Sequence, residues 1–351
     1  MHVPRRTPSV LRRTPPPTGG AEGRPRRSLL LRALAPAAAA VLVACGAGLL
    51  AVSVTESAPR PPVEFGTNIW PGDELLFLAA DRGFFPPGKV RLVQYTSATQ
   101  VETAFRNGTI DVAAFTLDEL LRLIAFGDDP KIVLVMDVSN GADAILARPG
   151  IDSVRDLRGR TVGVETTALG RYELERALER AGLTIHDITI LPLTVDQHVA
   201  AYDAGRIDAA VTFEPARSQI MGRGAHSIFS SADIPGEIVD VLVVRPSLLR
   251  ERPELVEQLR DGWLVAVELL KRSPLEAATA MAPREHVTAQ AFLRSLDGIL
   301  IGDRALNERL VGGAAPTLPA AIEQLRQSML HAGIPAPAEP VRDVLAWSDG
   351  P

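Results

Sequence analysis

Short apolar, β-branched runs alternate along this chain with segments whose apolar residues recur at helical spacing, and the alternation is written twice. Residues 90–114, VRLVQYTSATQVETAFRNGTIDVAA, align with DITILPLTVDQHVAAYDAGRIDAAV about 97 positions later, so that Gly108 falls on Gly205. The match extends backwards: VEFGTNIWPGDELLFLAADRGFF has the layout of RTVGVETTALGRYELERALERAGL, with Gly66 on Gly163. Each copy reads strand, loop, helix, Gly, strand, loop, helix, Gly, strand. Two copies of so long a period do not make a solenoid, which needs three or more short units. They predict two similar α/β lobes with a cleft between them, the usual seat of a small ligand.

Six runs are strands by composition and length, namely KVRLVQY, KIVLVMDV, RTVGVE, DITILPL, AAVTF and EIVDVLVV. VETAFRNG and RYELERALERAG are helices closed by Gly108 and Gly182. This alternation predicts largely parallel sheets covered on both faces. After Val244 the pattern is helical only, through PELVEQLRDGWLVAVELLKRS, TAQAFLRSLDGI and LPAAIEQLRQSMLHAG, which are expected to pack behind the first lobe. The segment after Gly333 reads as a tail.

Composition is that of a globular protein, with 46% hydrophobic and 23% charged residues. Charge separates the N-terminus from the rest. Residues 1–32 hold eight Arg and one Glu, a net of +7, leaving −12 for the remainder of a chain whose total is −5. An acidic body with three Lys and 5% aromatic residues offers no basic stripe, which argues against nucleic-acid binding. Arg24, Arg26, Arg27 and Arg32 precede an uncharged stretch over residues 33–54, the layout of an export signal. Leu42-Val43-Ala44-Cys45-Gly46 resembles a bacterial lipobox, with Cys45 as the lipid attachment point. Cys45 is the only Cys, so no disulfide forms within one molecule. Residues 47–54 stay largely apolar after it, and 22 uncharged residues also suffice for an uncleaved membrane-spanning anchor. Lipoprotein, anchor and simple cleavage remain open, and Arg26-Arg27 with Ser28-Leu29-Leu30 is a loose twin-arginine pattern. All place the body outside the cytoplasmic membrane. The Pro-rich segment 59–62 is a stiff tether, and the folded body is expected from Val63.

Six segments in order carry a family resemblance: GTNIWPGDELLFLAADRGFF, FRNGTIDVAAFTLDELL, DVSNGADAILARPGI, DLRGRTVGVETTALGRY, GRIDAAVTFEPAR and IPGEIVDVLVVR. The chain resembles the substrate-binding component of bacterial ABC importers, in the branch of nitrate, taurine, sulfonate and pyrimidine-precursor (thiamine biosynthesis-like) binders. The resemblance implies the type II periplasmic-binding-protein fold, with a hinge and extra C-terminal helices. It implies residues 1–62 as export or anchor segment and tether, residues 63–145 plus 242–351 as lobe 1, and residues 146–241 as lobe 2. Crossings between lobes are expected near residues 144–148 and 240–245. The implied protein is a monomer that captures a small solute and presents it to a membrane permease. A ligand-sensing module of a signalling system would use the same cleft. Some relatives of this fold are enzymes of pyrimidine or quinone-precursor synthesis, one with a Cys cluster that this single-Cys chain lacks. Together with the absence of paired His spacing, a Ser nucleophile motif or a phosphate-cradling loop, this argues against catalysis, a cofactor or a metal.

The cleft follows from the pattern itself, since ligands of open α/β sheets sit at the carboxyl ends of strands, where loops lead into helix N-termini. Those loops supply Asn68 and Trp70, Thr96 and Ser97, Thr116 and Asp118, Asn140 and Asp143 as candidates. From the second copy come Glu165, Thr167, Arg171, Tyr172, His198 and Glu214. Trp70 precedes a Pro-Gly turn and is placed to cover a ligand, or to pack on its own lobe. Ser97, Thr116 and Asp118 serve equally as helix caps, Asn68, Asn140 and Asp143 as turn residues. Four acids against Arg171 and His198 imply a ligand with an amine or other donor, an aminosulfonate or an aminopyrimidine rather than bare nitrate.

Overall fold

A computed structural model of the chain describes residues 60–166 and 169–346. The export or anchor segment with Cys45, and Thr167, lie outside the described residues. Among the described residues no helix is long and apolar enough to cross a membrane.

The chain enters its body at β1 (Val63–Thr67) and passes through α1 (Glu74–Asp81), β2 (Val90–Gln94), α2 (Ala98–Arg106), β3 (Val112–Thr116) and α3 (Leu117–Ala125) to β4 (Lys131–Ser139). It then builds β5 (Ala144–Ala147), β6 (Thr161–Val164), α4 (Leu169–Ala181), β7 (Thr189–Pro192), α5 (Val195–Asp203), β8 (Ala209–Thr212), α6 (Ala216–Met221) and β9 (His226–Ser230). β10 (Val239–Val244) is followed by α7 (Pro246–Glu251), α8 (Pro253–Arg272), α9 (Pro274–Met281), α10 (Ala289–Ser295), β11 (Ile299–Ile301), α11 (Arg304–Leu310) and α12 (Leu318–His331).

These strands form two sheets, ordered β11-β4-β10-β3-β1-β2 and β7-β6-β8-β5-β9. The internal repeat is their shared centre. β1 lies parallel between β2 and β3, and β6 lies parallel between β7 and β8. Gly66 pairs with Ala113 and Gly163 with Ala210, the same register position in each copy. A Cβ at either glycine would run into an isoleucine, Ile110 in the first copy and Ile207 in the second, so close packing of the next segment fixes both. Gly108 and Gly205 close α2 and α5 at φ of 71° and 69°, a conformation that favours glycine.

Three expectations need correction. The sheets are mixed rather than largely parallel, because β10 and β4 with β11 bring antiparallel pairing into the first, and β5 and β9 into the second. The C-terminal part is not helical throughout, since β11 adds an edge strand to β4. The segment after Gly333 is no loose tail: Leu345 bridges to Ile132, with Ile334 and Val344 buried. The chain switches sheets at residues 140–143 and 231–238. Helices α8, α9 and α10 share with α1 and the first sheet a core centred on Trp263, Phe65 and Phe292. A second core joins Ile322, Leu325 and Met329 of α12 to Leu120 and Leu121 of α3 and Leu174 of α4.

Candidate functional site

The carboxyl ends of β1, β3, β6 and β8 converge on one cavity of about 650 Å³, its open mouth included. Trp70, extended at φ −152° and ψ 131°, precedes the tight turn Pro71–Asp73. Its Nε1 donates to Asp137 Oδ2 at 3.0 Å. A Cβ on Gly72 would collide with both groups, so glycine lets the turn lie against this pair. Across the cavity Phe213, just beyond β8, meets the Trp70 ring edge-on, with centroids 5.5 Å apart at 81°. A second joint lies at Glu165, whose Oε1 accepts from the Thr99 amide at 3.1 Å and from the Thr99 hydroxyl. Trp70–Phe213 and Glu165–Thr99 therefore tie the two sheets' loops together over the cavity.

The lining is acidic. Asp73, Glu119, Asp143, Glu165, Glu173 and Asp240 all face the cavity, and no Lys, Arg or His is among its described lining residues. Burial raises Asp73, Glu119, Glu173 and Asp240 well above the usual carboxylate range. It lifts Asp143 to about 7. Asp240 stands opposite Asp137 in the β10–β4 register, and burial lifts Asp137 to about 6 against the opposing hydrogen bond from Trp70. Water is kept from these groups, so they shed charge where no partner compensates. Among the described residues, three buried oxygens of this lining have no partner: Asp143 Oδ2, Glu173 Oε1 and Thr212 Oγ1. An outer chamber adjoins the first through Asn68, Ala98, Glu165, Val195 and Phe213, and is walled by Thr96, Ser97 and Gln219. Among the described residues no group of three or more His, Cys, Asp and Glu is arranged to hold a metal ion.

Asn68, Trp70, Thr116, Asp143 and Glu165 line the main cavity, and Thr96 and Ser97 the outer chamber. Ser97 also caps α2, accepting from the Gln100 amide at 3.3 Å. The remaining candidates lie elsewhere. Asp118 accepts from the Thr116 hydroxyl at 2.6 Å and is not in the wall. Asn140 is exposed in the switch segment, its amide bonded to the Gly298 carbonyl. Arg171 is held by Glu175 at 2.5–2.9 Å, one turn along α4. Tyr172 points into the core and donates to Glu237 at 2.6 Å. His198 is fully buried against the Leu193 carbonyl, and burial lowers it to about 4, so it is neutral. Glu214 turns to the start of α6, accepting from the Ser218 amide and hydroxyl.

Asp73, Glu119, Glu173, Asp240, Thr212 and Phe213 line the cavity without having been among the sequence candidates. One signal was present for Asp240, an acid inside the apolar strand VDVLVV. Glu119 carried another, as the acid three residues after Thr116 in a capping box.

The NMT1-like family model matches residues 56–284. The taurine-binding periplasmic protein of Escherichia coli is 21% identical over 168 residues, which is 47% of this chain and 52% of that protein. The chain thus spans about half the length of the curated relatives it matches. The alkanesulfonate-binding protein SsuA of Xanthomonas axonopodis pv. citri, bound to MOPS, shares the fold with a TM-score of 0.71 at 19% identity, over 83% of this chain and 100% of that one. The periplasmic aliphatic sulphonate binding protein SsuA of Escherichia coli does so at 0.65 and 18%, over 81% and 96%. These relatives are binding proteins, not enzymes. With a family match running through both sheets, the chain belongs to the NMT1-like family.

Proposed function

We propose that this protein is the extracytoplasmic solute-binding component of an ABC importer, whose cleft takes a small solute bearing an amine, amidine or aminopyrimidine group and presents it to a permease. The observation that carries the ligand class is the wall of six carboxyl groups with no cation among its described lining residues. Buried acids of this kind are costly unless a donor reaches them, and a cationic group supplies both donors and charge. The unpartnered oxygens of Asp143, Glu173 and Thr212 are the acceptors such a group would satisfy. Arg171, which with His198 makes up the basic candidates for an anion, is engaged by Glu175. That narrows the alternatives away from an aminosulfonate and towards an organic cation.

Closure follows from the two joints. A solute seated between the sheets touches both walls and stabilises the arrangement in which Trp70 meets Phe213. The test is a thermal-shift panel on the purified protein with primary amines, amidines, aminopyrimidines, nitrate and alkanesulfonates. A ligand at 100 times its Kd adds about 2.7 kcal/mol of stability. Rises confined to the amine-bearing classes support the reading, and a rise with amine-free sulfonates alone overturns it.

A further inference from the structure

The helix starts at this cleft are occupied by the chain's own carboxylates. Glu214 accepts from the Ser218 amide of α6, and Glu119 from the Thr116 amide at the start of α3. The third case differs, because the acid comes from the other sheet. Glu165, at the end of β6, reaches the Thr99 amide in the first turn of α2, where a helix presents unbonded N–H groups and the positive end of its dipole. Ser97 takes the next amide, that of Gln100. An anion approaching α2 therefore meets a carboxyl group already in place.

Glu165 is also common to both chambers, so a solute in either lies against it. We propose that Glu165 is the residue that sets the cleft's charge selectivity: it stands in for a ligand anion at the start of α2, bars sulfonates and carboxylates, and bridges the two sheets' loops. This rests on the proposed function and deepens it by assigning rejection of anions to one side chain. It also accounts for how a fold shared with sulfonate-binding proteins presents an acidic cleft. The unpartnered oxygens of Asp143 and Glu173 then mark the opposite end of the solute, its cationic group.

The test uses a pair of probes with one carbon skeleton and opposite charge, ethylammonium and ethanesulfonate, with the full-length protein and its Glu165→Gln and Glu165→Ala variants. Gln keeps an acceptor for Thr99 and removes the charge, whereas Ala removes both. Thermal shift at matched concentrations and pH 7 reads binding. The expected result is no shift of the wild type with ethanesulfonate and a clear rise in both variants, about a tenfold gain in affinity if 1.4 kcal/mol of repulsion is relieved. Glu165→Ala is further expected to expand in solution scattering, since it loses the bridge, and Glu165→Gln is not. Stabilisation of the wild type by ethanesulfonate to the level of the variants overturns the proposal, as does a lack of response in both folded variants. Failure of the amine reading is seen separately, as wild-type silence towards ethylammonium whatever the variants do with ethanesulfonate.

Discussion

Trp70 donates its indole hydrogen to Asp137 at 3.0 Å, so the ring that meets Phe213 across the cleft is fixed by a carboxyl of β4. Asp137 in turn stands opposite Asp240, which faces the cavity. Ring position and the charge state of the wall are thereby linked through one buried acid. Trp70→Phe keeps an aromatic ring and deletes the donor. Leaving a buried acceptor without its partner costs about 1–3 kcal/mol. The expected outcome is a lower urea midpoint at unchanged m-value, together with weaker binding of amine probes.

Glu173 and Asp143 carry unpartnered buried oxygens, and the charge on Asp143 adds to the cost of ionising Glu173. Glu173→Gln is expected to stabilise the ligand-free protein while reducing affinity for a cationic solute tenfold or more, about 1.4 kcal/mol. Opposite signs in the two measurements, unfolding and titration calorimetry, are the signature of an acid retained for binding rather than for folding.

The buried acids in and behind the wall set a pH dependence. Burial moves Asp137 from 3.8 to about 6 and Asp143 from 3.8 to about 7. Between the unfolded and folded values the native state holds more protons than the unfolded chain, so stability falls as pH rises through that range. The melting temperature of the ligand-free protein is expected to fall from about pH 4 to about pH 7. Asp143→Asn should flatten the upper part of this slope.

Arg171→Ala serves as the counter-case. The side chain is half-buried and paired with Glu175 one turn away, outside the cavity wall. Such helical pairs contribute roughly 0.3–0.5 kcal/mol. The substitution is expected to leave solute affinity unchanged and to shift stability by no more than that, measured side by side with Glu173→Gln.

The repeated core was readable because strand–helix alternation and the paired glycines are local signals, and Gly66 and Gly163 take equivalent register positions. β5, β9 and β11 were not, since their pairing is set by strands distant in sequence. At the site the differences between loop position and side-chain direction are rotational. In α4 the neighbours Tyr172 and Glu173 point to core and cavity respectively, and one residue turns a helical side chain by about 100°. Sequence position alone favoured Tyr172. Glu214 and Asp118 lie in the expected loops, yet each bonds within its own segment, a choice that loop position does not reveal. Trp70, Thr116, Asp143 and Glu165 sit in the wall because a strand end fixes direction more tightly than a helix turn does.

Proton release on binding is the direct readout of a cation entering the acidic wall. A cation entering this wall returns charge to carboxyls that burial had neutralised, so binding must expel protons. Titration of the protein with an amine-bearing probe near pH 6.5, in two buffers of different ionisation enthalpy, reads that release as a difference in heat. Net proton release is expected, with affinity that rises from about pH 6 to about pH 8. Tight binding of an amine-free sulfonate, with proton uptake or none, would contradict it.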